Sequence, residues 1–203
     1  MKILELFSGT ESFSNIARKR GHQVFTVDNN TKFNADLCKD ILQVTKDDIP
    51  FKPDVIWASP PCTDYSHAKR KGTSFITLSN MFVIKCLSLI ISLNPKFWVI
   101  ENPQTGTLKF QYFMYDLPFT DVSYCKYGCS YRKQTRLWNN FEFSGEKCEN
   151  KCDYFKDGKH INSVGNGRSK YTSKGFNKIE KGSVPTELCK KIMKSCEKIH
   201  KEK

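Results

Sequence analysis

Residues 2–28, KILELFSGTESFSNIARKRGHQVFTVD, decide the fold. KILELF (2–7) reads as a short buried strand, SGT (8–10) as a tight turn and the residues around 11–20 as a helix. HQVFTVD (22–28) is then a second strand that ends in an acid. Strand, small-residue turn, helix, strand is a βαβ opening. Gly9 permits a close backbone approach at the first turn, and the helix that follows can aim amides at a polar ligand. The turn lacks the GxGxxG pattern and is equally readable as an ordinary tight turn.

The same alternation continues downstream. A loop-like NADL segment carries Asp36 and leads toward a short helix. DVIWA (54–58) is another apolar strand, stopped at once by SPPC (59–62), because two prolines lack the ladder N–H and fix the route of the chain. TLSNMFVIKCLSLIISLN (77–94) predicts an amphipathic or largely buried helix, and FWVIE (97–101) a strand whose end carries Glu101, Asn102 and Pro103. Residues 136–141 form a further strand, and TELCKKIMKSCEKI (186–199) resumes a helical period with Thr186 or Ser183 as its cap. This order predicts an open, mainly parallel α/β sheet whose ligands gather at the C-terminal strand ends. Gly9, Asp28, Cys62 and Glu101 all fall at such ends.

A chain of 203 residues fits one domain with a small appendage. The formal charge of +12 is uneven: residues 1–120 carry 14 basic and 11 acidic side chains, residues 121–203 carry 19 and 10. A basic C-terminal part suits a polyanionic partner, and Lys on a solvated face also serves solubility alone. The N-terminus has no long apolar segment followed by a cleavage site, and no later stretch is expected to reach bilayer-spanning length. Nine Cys is an odd number with mixed spacings, which argues for a reducing, intracellular setting with Cys62 outside any disulfide. Residues 144–183 are polar and rich in Lys, Gly, Ser and Asn, consistent with an extended binding loop, a metal-braced appendage or a mobile segment.

Several positions carry chemistry. Asp28, after the second strand, can accept bonds from cofactor ribose hydroxyls, and Asp36 from an adenine amino group; either acid can also be a cap or plainly exposed. In SPPCTDYSHA (59–68) the prolines shape a loop that presents the Cys62 sulfur, a strong nucleophile as thiolate, where a lone Cys is otherwise a small packing group. Glu101 in VIENP can donate a proton when partly buried, or can cap the next turn. In YRKQTR, Arg132, Lys133 and Arg136 can bind phosphate or orient a base. Arg136 is favoured because the apolar LW that follows fixes it; Tyr131 and Trp138 stack or pack. Cys148, Cys152 and His160, with Cys125 or Cys129 as the fourth ligand, have separations suited to structural zinc, and are equally readable as free residues of a reduced protein.

In their order, ELFSGTESF, Asp28 and Asp36, SPPCTDYS, VIENP, YRKQTRLW and GSVP resemble the motifs of the DNA cytosine-C5 methyltransferase family. The resemblance implies a Rossmann-like, S-adenosylmethionine-dependent methyltransferase fold with a mainly parallel sheet and a small irregular C-terminal recognition region. It implies a catalytic and cofactor-binding core over 1–143, a reduced recognition region or metal-braced insertion over 144–182, and a segment over 183–203 that returns to the core. By motif, Phe7, Ser8, Gly9, Glu11, Asp28, Asp36, Leu37, Pro60, Ser183 and Val184 fall in the cofactor pocket. Cys62 matches the nucleophile that adds to C6 of cytosine, Glu101 the acid at the ring nitrogen, and Arg136 a basic residue near the target base. ENP stands where the family usually has ENV, and Gln134 with Arg136 where it has two arginines. The implied partner is DNA, with RNA as the nearest rival and a catalytically weak nucleic-acid-binding regulator as a rival of another class. A homodimer or a separate recognition subunit would complete a short recognition region. The implied setting is the cytoplasm of a microbe or infected host, or a nucleus.

Overall fold

The computed structural model describes residues 1–66, 76–162 and 182–202. Seven strands form one sheet in the order β3-β2-β1-β4-β5-β7-β6. These are β1 (Lys2–Leu6), β2 (Gln23–Asp28), β3 (Leu37–Cys38), β4 (Val55–Ala58), β5 (Phe97–Pro103), β6 (Phe119–Ser123) and β7 (Gln134–Asn139). Pairing is parallel from β3 through β5, and β7 runs antiparallel to both β5 and β6. This is the expected Rossmann-like, mainly parallel methyltransferase sheet, followed by an irregular C-terminal region.

Helices α1 (Ser12–Lys19) and α3 (Thr186–Lys201) pack together over one face, and α2 (Ile76–Leu93) covers the other. Alternate residues of each strand divide between the two cores. Ile3, Val55, Trp57, Val99 and Leu137 face α1 and α3, while Leu4, Leu6, Ile56, Ile100 and Trp138 face α2. Phe13 of α1 stacks on Trp57 at 4.7 Å, a pairing that contributes about 1 kcal/mol beyond its burial. Burial on both faces is why β1 and β4 read as apolar runs rather than alternating strands.

Glu5 breaks the apolar run of β1. Its carboxyl is 3 % exposed and accepts the backbone N–H groups of Phe13 (3.4 Å) and Ser14 (2.8 Å), the opening amides of α1. Glu11, the residue before α1, has a left-handed φ of 55° and makes no side-chain cap. The first-turn amides expected to face a ligand are thus partly taken by an internal acid. Burial, working against these amides, pushes the Glu5 carboxyl up to about 7.

Three sequence expectations are corrected. The segment after Asp36 forms the two-residue strand β3 and then 3-10 turns at Ile41–Gln43 and Lys46–Asp48, not an α-helix. The α3 cap is Pro185, with no side-chain cap bond, because Thr186 is already helical and Ser183 bonds elsewhere. Ile76–Leu93 is long and apolar enough, by length and composition, to cross a membrane. At 18 residues it sits at the lower bound of that class, and it packs Ser79, Val83, Cys86, Leu89, Ile90 and Leu93 against the sheet. Residues 67–75 and 163–181, including about half of the expected recognition region, lie outside the described residues.

Candidate active site

The turn after β1 is built on three left-handed residues, Phe7 (φ 55°), Gly9 (φ 47°) and Glu11 (φ 55°). Ser8 N–H donates to Val27 O at 3.1 Å, locking the turn to the end of β2. Gly9 N–H donates to Asp28 Oδ2 at 2.9 Å, and Asn30 N–H to Asp28 Oδ1 at 2.8 Å. The Asp28 carboxylate is thereby fixed at the strand end while each oxygen keeps a second acceptor site. The Ser8 hydroxyl is buried without a hydrogen-bond partner among the described residues, so this turn holds an unmatched polar atom. Asp36 accepts from Thr26 N–H (2.8 Å) and its hydroxyl (2.9 Å), which places half-buried Leu37 beside Val27. Glu11 pairs with Arg18. From far along the chain, the Ser183 hydroxyl lies 3.2 Å from that of Thr10, and Val184 N–H donates to Ser12 Oγ at 3.2 Å.

The adjacent strand end carries the cysteine loop. Ser59 N–H donates to Leu6 O and Pro60 is buried, with its carbonyl accepting from Asn102 Nδ2 at 2.9 Å. Half-buried Cys62 leads the 3-10 turn Thr63–Tyr65. That turn is tied down on two sides: Ser79 Oγ donates to Asp64 at 2.8 Å, and Tyr65 hydroxyl to Asn80 Oδ1 at 2.8 Å. Gly106 passes so close that an added Cβ would lie 3.2 Å from Tyr65 O. Two prolines, a bound carbonyl and an anchored turn hold the Cys62 backbone in place. No disulfide joins any of the nine cysteines.

Glu101 lies one strand over in β5, 4 % exposed. Its Oε1 accepts from the Tyr124 hydroxyl at 2.8 Å, and the Lys133 ammonium stands at 3.4 Å from the same oxygen and 4.7 Å above the Tyr124 ring. Burial and the neighbouring Glu101 push the Tyr124 hydroxyl well above its ordinary range, so it stays a donor. Strand alternation sends Glu101 to the face of Val99 and Leu137, whereas Arg136 pairs in register with Asn102 on the other face. The Arg136 guanidinium is turned toward β6, bonded to both Asp121 oxygens at 2.7 and 3.0 Å and stacked at 3.5 Å on Phe119. The cation that touches Glu101 is thus Lys133, and Tyr131 and Trp138 are buried packing residues. Tyr124 has no motif to mark it, since its role depends on β6 pairing with β7. Cys125, Cys148, Cys152 and His160 gather near the C-terminal end of β6.

Comparison with known proteins agrees with this geometry. Residues 1–105 match the family described as C-5 cytosine-specific DNA methylase. The chain is 34 % identical over 167 residues to the probable DNA (cytosine-5)-methyltransferase of Frog virus 3, covering 74 % of this chain and 76 % of that protein. Among solved structures, a DNA modification methyltransferase described from an E. coli prophage superposes with a TM-score of 0.53 at 17 % identity, covering 68 % of this chain and 46 % of that one. The S. pombe Dnmt2 methyltransferase gives 0.51 at 20 %, covering 72 % and 52 %. The chain spans about half the length of these solved structures, which share its fold. By sequence match and by fold, the chain belongs to the C-5 cytosine-specific DNA methylase family.

Proposed function

We propose that this chain transfers a methyl group from S-adenosylmethionine to C5 of cytosine in DNA, through a covalent adduct at Cys62. The observation that carries the reading is the pairing of two neighbouring strand ends. A fixed Cys62 loop follows β4, a buried Glu101 held by Tyr124 and Lys133 lies in β5, and Asn102 links the two through Pro60. The cofactor pocket is assigned to the turn of Phe7, Ser8, Gly9 and Glu11, the acids Asp28 and Asp36 with Leu37, and Pro60, Ser183 and Val184. The unmatched Ser8 hydroxyl and the spare acceptor sites of Asp28 suit a polar, hydroxyl-bearing ligand such as adenosine. S-adenosylmethionine supplies, when bound, an electrophilic methyl group.

The chain's own residues then have distinct tasks. The target cytosine is taken out of its stack and seated between the Cys62 loop and Glu101. Cys62 thiolate adds to C6, and Glu101 gives a proton to N3, so that electron density develops at C5. Lys133 and Tyr124 fix the Glu101 carboxyl. Arg136, locked by Asp121, supplies a fixed positive charge on the side of Asn102. Once C5 carries the methyl group, loss of the C5 proton to solvent, return of the N3 proton to Glu101 and elimination of the thiolate restore the aromatic ring. Residues 144–182 serve as a short recognition region between a core over 1–143 and a returning segment over 183–203, in an intracellular setting.

The test is transfer of labelled methyl from S-adenosylmethionine to a mixed panel of cytosine-containing DNA and RNA, with base-resolved products. Label at C5 of DNA cytosine, lost in Cys62→Ser with cofactor binding kept, is the expected result. Label in RNA alone replaces the substrate, and equal turnover by Cys62→Ser removes the mechanism.

A further inference from the structure

Among the described residues outside the proposed active site, Cys125, Cys148, Cys152 and His160 form a dense group of metal-ligating side chains. Their ligand atoms all lie within 4.8 Å of one another. His160 Nε2 stands 3.4 Å from the sulfur of Cys148 and 3.4 Å from that of Cys152. A single ring nitrogen carries one proton or one lone pair in the ring plane, so it can aim a linear hydrogen bond at only one of the two sulfurs. A shared centre accounts for both contacts. With Zn–S near 2.3 Å and Zn–N near 2.0 Å, a tetrahedral site has S···N edges of about 3.5 Å and S···S edges of about 3.8 Å. The observed separations match the first value and leave room for the second.

The chain around these residues is shaped to bring them together. Cys125 sits in the 3-10 turn Tyr124–Tyr127 that follows β6. The segment carrying Cys148 runs back along the β6 edge: Ser123 N–H donates to Glu146 O at 2.9 Å, and Cys148 N–H to Ser123 Oγ at 3.0 Å. Gly145 allows that approach, since an added Cβ would stand 2.5 Å from Thr120 Cγ2. Asn150 adopts a left-handed φ of 62°, and the amides of Asn150 and Lys151 are aimed at the Cys148 sulfur. Two short strands, β8 (Phe155–Lys156) and β9 (Lys159–His160), then turn the chain back to deliver His160. Between Ser144 and Asn162 only Cys148 is fully buried, so this strap has almost no apolar core of its own. Small, polar, irregular segments of this kind are where a structural metal supplies the folding free energy.

We infer that Cys125, Cys148, Cys152 and His160 form a closed, four-coordinate structural zinc site that clamps the strap over residues 144–162 to the turn after β6. The site is closed because all four positions are protein ligands, which leaves none for water or substrate. Cys129, the alternative fourth ligand, is not in the cluster. The clamp acts next to the Glu101 site. Cys125 directly follows Tyr124, the donor to Glu101, and Asn162 at the end of the strap bridges to Tyr131 and donates to Ser130 Oγ at 2.8 Å, two and three residues from Lys133. The inference stands independently of methyl transfer.

The test is elemental analysis of the full chain, purified under reducing conditions with any affinity tag removed, together with a thiol titration. About one equivalent of tightly held zinc is expected. Replacement of that zinc by cobalt should give the intense visible bands of a tetrahedral site and a sulfur-to-cobalt charge-transfer band. Cys152→Ser and His160→Ala should each lose most of the metal and open residues 144–162 to protease while the sheet remains folded by circular dichroism. Absence of zinc from fully reduced protein, an octahedral cobalt spectrum, or full metal retention in the Cys152→Ser, His160→Ala double variant would each overturn the assignment. Wild-type cobalt spectra carry the test even where a variant fails to fold.

Discussion

Raising the pH from about 4 to about 8 should destabilise this fold through one side chain, Glu5, by roughly 3 kcal/mol. Glu5 is buried in β1 and held near pH 7, against an ordinary 4.5, because burial penalises its charge more than the amides of Phe13 and Ser14 favour it. Below pH 4.5 the folded and unfolded chains both carry the proton. Between 4.5 and about 7 the unfolded chain releases it first, so the folded chain binds more protons and stability falls as the pH rises. Above about 7 the loss is complete, and the displacement corresponds to roughly 3 kcal/mol at 1.36 kcal/mol per pH unit. Urea unfolding across this range, for wild type and Glu5→Gln, reads the effect directly. Gln keeps an acceptor for one α1 amide and does not ionise, so the variant should match the wild type closely at low pH and overtake it at high pH. Taking the difference between the two profiles removes titrations common to both chains. Parallel profiles would refute the assignment of Glu5 as a buried acid that takes its charge only at a cost.

Tyr124→Phe removes the shortest bond to Glu101 and should cost about 1–2 kcal/mol of stability in urea, with slower methyl transfer and little change in cofactor affinity. Arg136→Ala leaves Asp121, which is 11 % exposed, with only the exposed Lys147 ammonium at 3.8 Å and should cost about 3 kcal/mol, whereas Lys133→Ala should lower the rate of methyl transfer more than it lowers the unfolding midpoint. Arg20, joined by His22, holds the Glu197 carboxyl of α3 down to about 2. The stability this gives is present above 4.5 and lost as the pH falls toward 2; Glu197→Gln should flatten that acid limb in thermal melts.

The central strands were legible as short apolar runs closed by Gly, Pro or a polar turn, and among the described helices α2 as a long apolar run and α1 and α3 by their amphipathic period. β6 was not, since FTDVS is short and mostly polar. It is a strand only because β7 pairs with one edge and residues 143–148 run along the other, and neither contact leaves a local pattern. The candidate site divides in the same way. Gly9, Asp28, Cys62 and Glu101 were found because parallel topology collects strand ends on one side of a sheet, an inference that needs only element order. Tyr124 and Lys133 reach Glu101 across 23 and 32 residues, through a hairpin whose register is a tertiary fact. The preference for Arg136 over Lys133 rested on its apolar neighbours. Arg136 is held instead by Asp121 and Phe119 of β6, and β7 alternation places it on the face of Asn102, not that of Glu101.

That alternation gives β5 an unusual position in the molecule. Two consecutive residues look to opposite sides and engage different machinery. Asn102 is wholly buried and grips the carbonyl of Pro60, two residues from Cys62. Glu101 is gripped by Tyr124, whose neighbour Cys125 belongs to the inferred metal cluster. The peptide joining them is held by its ladder to β7, so the cysteine loop and the acid share one rigid backbone reference. A strand end is stiffer than a loop, and catalytic groups tied to it keep their mutual geometry without further bracing. The bracing that is needed lies one layer out, at the turn after β6, where β-structure ends and the polar strap begins. A structural metal at that point would hold Tyr124 and Lys133 against Glu101 through the same short turn, leaving the parallel core unburdened by the irregular segment it carries.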